Sequence, residues 1–81
     1  MATTDITLAA NAWTVAAAAS SGTGLITNHT GERLRFAFGG SEPSVLGHFL
    51  NPGATHNFDV GSEAMYVKST NGGKISVTID A

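Results

Sequence analysis

The residues of this chain best suited to holding a metal ion are His29, His48 and His56, with Asp59 as a carboxylate beside the last of them. A zinc or copper site needs three or four such ligands converging, with each imidazole oriented by a further hydrogen bond. Folding Asn51-Pro52-Gly53-Ala54 as a hairpin turn sends His48 and His56 to opposite faces, and His29 lies in a different turn, so these read as structural or surface histidines. Gly72-Gly73-Lys74 has the look of a phosphate loop but lacks the helix that makes such a loop work, and it reads as a hairpin tip. No G-x-S-x-G elbow accompanies the serines; Gly39-Gly40-Ser41-Glu42-Pro43 is a turn, and the six acidic residues are scattered singly rather than paired for acid–base work. The expectation is a chain that is not an enzyme and uses no cofactor or metal. Asn28-His29-Thr30 satisfies the glycosylation pattern, which matters only in a secretory pathway. Trp13 and Tyr66 could stack on a sugar ring, although a lone Trp in a small β domain is more often core.

The elements that must position these residues follow a period of two. DITLAANAW alternates as a strand, GLITN is a strand over 24–28, and a turn centred on His29-Thr30-Gly31 leads to a strand over 32–39. That connection predicts Ile26 opposite Leu34 and Leu25 opposite Arg35, with Leu34, Phe36 and Phe38 facing the core and Arg33, Arg35 and Ala37 facing away. Pro52 and Gly53 suit a type II turn that pairs Leu50 with Thr55, placing Val45, Phe49, Phe58 and Val60 on one face and Leu46, His48, Leu50, Thr55, Asn57 and Asp59 on the other. An Asn71-Gly72-Gly73 loop pairs Val67 with Val77 and Met65 with Ile79, with Tyr66, Lys68, Ser76 and Thr78 opposite. Seven to eight short strands with turns about every 8–12 residues predict an all-β fold: a single antiparallel β-sandwich or small jelly-roll-like barrel over residues 1–81.

The stretch AWTVAAAASSGTG could be mistaken for the end of a secretion signal, but no positive charge precedes it and its apolar run is far below the roughly 20 residues that span a bilayer. Neither a signal peptide nor a transmembrane segment is predicted. Alanine favours helix, yet Trp13, Thr14 and Val15 before the run and the Ser20-Ser21-Gly22-Thr23-Gly24 breakers after it favour a strand over 12–18, with a single helical turn as the runner-up. Small side chains there allow another layer or another chain to approach closely.

Only 12% of residues are Asp, Glu, Lys or Arg, against about 25% in an ordinary domain, so much of the surface is neutral. A domain this size buries only roughly 60–65% of its unfolded surface, and with no cysteine for disulfides and three histidines a weak ligand set for metal, association with other chains is the expected extra source of stability. Four basic residues and a net charge of −2 build no stripe for nucleic acid. The expected partners are further copies of this chain, as a trimer, and a larger protein, with Trp13, Ala17, Leu46 and Leu50 as candidate interface positions and Trp13 and Tyr66 as an alternative ligand-binding pair.

ITLAANAWT, GLITNHTGERLRFAFG, LNPGATHNF and MYVKSTNGGKISVTI together resemble small virion proteins of tailed bacteriophages. The resemblance implies a structural role: a capsid cement or decoration subunit, or a piece of a fibre or tail, assembled in the host cytoplasm and residing in the virion. The alternative is a carbohydrate- or receptor-binding module of a fibre or tail component.

Overall fold

The computed structural model describes residues 2–19 and 22–80; the expected breakers Ser20 and Ser21 lie outside the described residues. Eight strands are present among them: β1 (Ala2–Leu8), β2 (Thr14–Ala17), β3 (Gly22–Asn28), β4 (Leu34–Gly39), β5 (His48–Leu50), β6 (Thr55–Val60), β7 (Ala64–Lys68) and β8 (Gly73–Asp80). They form two antiparallel four-stranded sheets, ordered β1-β8-β3-β6 and β2-β7-β4-β5. This is the expected β-sandwich, and the strand order is that of a jelly roll. Ile26, Leu34, Met65, Val67, Ile75 and Val77 meet in the core between the sheets.

The expected hairpins are corrected. Consecutive strands alternate between sheets everywhere except at β4–β5, so β3 does not pair with β4, β5 with β6, or β7 with β8. Ile26 is paired with Val77 and His56, Leu34 with Leu50, and Val67 with Phe36. The Asn51–Ala54 turn itself is as expected: Ala54 N–H donates to the Asn51 carbonyl at 3.0 Å and Gly53 has φ of 76°. A short turn of this kind serves equally well to carry the chain across the sandwich, and inward-facing residues keep period two in either case. Val67 and Val77 therefore share one core without sharing a ladder.

Chain crossings leave backbone groups without ladder partners, and buried polar side chains meet them. Asn28, fully buried at the end of β3, donates through Nδ2 to the carbonyls of Glu32 and Leu50, both at 2.8 Å, and accepts from Thr30 N–H at 2.8 Å. Its own N–H donates to the Ala54 carbonyl at 3.0 Å and its carbonyl accepts from Gly53 N–H at 2.8 Å. Ser69, buried just after β7, accepts through its carbonyl from Asn11 N–H at 2.7 Å, while its hydroxyl lies 2.9 Å from both Glu32 Oε1 and the Gly72 carbonyl. Glu32 completes the link by accepting from Asn71 N–H at 2.9 Å and Asn71 Nδ2 at 3.0 Å. These bonds lash the crossing loops 29–33, 51–54 and 69–72 together at one end of the sandwich.

Two core assignments are corrected in β5. Leu50, expected on the mixed face, is 6% exposed because it pairs with Leu34, whereas Phe49 is 53% exposed opposite Arg35. Phe38 and Val45, also expected inside, are exposed. In β2 a register shift between Val15 and Ala17 turns both Ala16 and Ala17 inward, leaving Val15 outside.

Candidate binding face

Strand register assembles a cluster on the outer face of the β2-β7-β4-β5 sheet. Met65 and Val67 point into the core, so Tyr66 and Lys68 point outward. Lys68 pairs with Arg35, and Arg35 with Phe49, which places two cations and an exposed ring in one row across three strands. Arg33, just before β4, lays its guanidinium over Phe49 at 4.3 Å from the ring centroid; that of Arg35 lies at 5.5 Å. At the other end of the row Lys68 Nζ stands 5.7 Å from the centre of the Trp13 ring. Such contacts hold cations in place on the face of an aromatic ring while leaving their N–H groups free to donate.

A cleft of about 160 Å³ opens here, lined by Asn11, Arg33, Arg35, Phe49, Lys68 and Thr70. Three of the chain's four Lys and Arg residues thus converge, and none is paired with a carboxylate among the described residues. Asn11 adopts a left-handed conformation, φ 53°, that its short polar side chain tolerates. The opposite sheet differs in sign. Asp5 and Asp59 lie exposed on strands β1 and β6, Asp5 accepting from Ser76 Oγ at 2.7 Å. An open depression of about 590 Å³ is lined there by Thr23, Gly24, Leu25, Asn57, Phe58, Asp59 and Thr78. Gly24 lets the Phe58 ring lie close against β3: a Cβ at that position would meet Phe58 Cζ at 2.6 Å.

The site residues expected from sequence are scattered over these features. Trp13 and Tyr66 are partly exposed on the cationic sheet. Leu46 is 74% exposed in the loop 40–47. Ala17, 4% exposed, and Leu50 are core residues, which corrects their placement at a contact surface: the β2 bulge and the Leu34–Leu50 pairing turn them inward. His48 and His56 are also corrected. They belong to different sheets rather than to opposite faces of one hairpin, and both pack on Phe36, at 5.4 and 5.0 Å between ring centroids. Among the described residues no three His, Asp or Glu side chains gather as a metal-binding group. Asn28 has both amide hydrogens engaged in the buried junction, which leaves the folded chain no free acceptor nitrogen for a glycan. No described helix is long and apolar enough to cross a membrane.

Arg33, Arg35, Lys68 and Phe49 escaped the sequence reading as a group. The alternation puts both arginines on one side of β4 and Lys68 beside Tyr66 on one side of β7; what it does not give is the β4–β7 pairing that unites them. Fold and surface together define a small antiparallel β-sandwich with a cationic, aromatic face. Compared with protein-family models, curated proteins and solved structures, the chain matches none.

Proposed function

We propose that this chain is a non-enzymatic assembly subunit of a virion, a capsid cement or decoration protein that acts through contacts with its own copies and with a larger shell protein. The observation that supports it is the distribution of exposed large apolar side chains. Among the described residues Val15, Phe38, Val45, Leu46 and Phe49 all belong to the β2-β7-β4-β5 sheet or to the loop joining β4 to β5, and Leu25 alone lies on the other sheet. Exposed apolar groups concentrated on one sheet and its connecting loop are suited to burial against a partner, at about 25 cal/mol per Å² of apolar area removed from water. Symmetry multiplies each such contact over a shell, so a modest area per copy is enough. Light scattering tests self-association: the chain is expected above monomer mass at micromolar concentration, and Leu46→Glu is expected to lower that mass without unfolding, because Leu46 is exposed. A monomer insensitive to this change overturns the self-association part of the reading. Mass spectrometry of purified particles would then identify the shell partner or find none.

Trp13 and Tyr66 support a second reading, a carbohydrate- or receptor-binding module, since both are partly exposed on the same sheet. Glycan-array binding that is lost in Trp13→Ala and Tyr66→Ala distinguishes it.

A further inference from the structure

We infer that the cleft between Arg33, Arg35 and Lys68 is a docking site for carboxylate side chains on an acidic segment of the partner protein. This rests on the assembly reading above and gives the partner's contact surface a chemistry. Three cations share a cleft of about 160 Å³ without a counter-charge among the described residues. Like charges so placed repel, and the arrangement is relieved when an anion enters. The guanidinium carbons of Arg33 and Arg35 lie 4.3 and 5.5 Å from the Phe49 ring centroid, and a contact of charge with the ring does not call on the paired N–H groups by which an arginine matches a carboxylate. Asn11 and Thr70 add an amide and a hydroxyl to the lining. Phe49 itself is more than half exposed beside the cations, so an entering segment meets an apolar ledge and charge together. That mixture favours a peptide over other polyanions. A nucleic-acid backbone calls for cations spread along a track, whereas here three of the four are gathered in one cleft and the fourth, Lys74, stands apart on the opposite sheet, which also exposes Asp5 and Asp59.

Trp13 supplies a built-in reporter, because it is the one tryptophan of the chain and Lys68 stands over its ring. A synthetic six-residue peptide of four glutamates and two leucines is titrated into the intact protein while Trp13 fluorescence and the arginine Nε–H resonances are followed. Saturable binding is expected, weakening at least tenfold between 50 and 300 mM salt and at least tenfold in either Arg35→Gln or Lys68→Gln. Lys74→Gln, on the other sheet, is expected to bind as the parent does. Inorganic phosphate and an eight-residue oligothymidylate are run in parallel. No saturation up to millimolar peptide, equal binding by the glutamine variants, or binding of phosphate or oligonucleotide as tightly as the peptide would each overturn the inference. Light scattering of Leu46→Glu reports on self-association independently, so a silent cleft on a self-associating chain refutes this site and leaves the assembly reading standing.

Discussion

The side-chain amide of Asn28 donates to the backbone carbonyl of Leu50 at 2.8 Å, joining the last residue of a strand in one sheet to the last residue of a strand in the other. The same amide holds the Glu32 carbonyl, so one buried side chain closes two chain crossings. Replacing Asn28 by Ala takes its donor from the Leu50 carbonyl and its acceptor from the Thr30 N–H, at about 1–3 kcal/mol for each buried group left unsatisfied, while the Glu32 carbonyl keeps the Thr30 hydroxyl at 2.8 Å. Asn28→Ala is therefore expected to lower the unfolding free energy by about 2–5 kcal/mol in urea titration, and Asn28→Asp by more, since its carboxylate would face carbonyl oxygens. Asn57→Ala, at an exposed position of β6, is expected to stay within about 0.5 kcal/mol.

Glu32 makes stability depend on pH. Hydrogen bonds from the Asn71 N–H, the Ser69 hydroxyl and the Asn71 side chain stabilise its ionised form and hold its pKa below the ordinary glutamate value. A carboxyl whose folded pKa is depressed contributes stability that is fully present above its unfolded pKa and is lost as pH falls through the folded one. Denaturation midpoints of the parent are thus expected to fall as pH drops below roughly 4.5, the ordinary glutamate range. Glu32→Gln is expected to flatten that fall.

Gly24 tests the packing of β3 against Phe58. A methyl group there would collide with the Phe58 ring and the Thr78 carbonyl, so Gly24→Ala is expected to destabilise by about 1–3 kcal/mol. Gly61→Ala has open space and no positive φ to oppose it, and thermal melts are expected to show it neutral or slightly stabilising.

Val77 and Thr78 separate the inside of β8 from its outside. Val77 is buried and Thr78 is partly exposed, with its hydroxyl oxygen 2.7 Å from that of Thr3. Val77→Asp is expected to cost several kcal/mol by burying an unpaired charge, and Thr78→Asp much less. Equal losses in urea titration would mean that the inward face of β8 is misassigned.

Side-chain alternation made most of the layered core legible. Leu34, Phe36, Phe58, Val60, Met65, Val67 and Val77 face inward as their period of two requires. Partnership between strands was not legible, because a three- or four-residue turn looks the same whether it closes a hairpin or crosses a sandwich. The cost fell on β5: assuming a hairpin about Pro52-Gly53 set its phase one residue wrong, exchanging Phe49 for Leu50. The cationic cleft was lost for the same reason, since Arg35 and Lys68 become neighbours only through β4–β7 pairing. Asn28 looked like a glycosylation acceptor because a buried junction leaves no periodic trace in a sequence.

The central position of β8 has a consequence for the order of events in folding. It is hydrogen-bonded on both sides, to β1 and to β3, and Ala2 is matched with Ile79. Until β8 is synthesised, β1 has no neighbour and β3 has β6 alone. Closing such distant pairings must repay loop entropy before it gains contacts, and chains built this way fold over roughly milliseconds to seconds rather than microseconds. A nascent chain halted before residue 73 therefore carries an unclosed sheet with bare strand edges, and the first sheet can close only after the last strand leaves the ribosome.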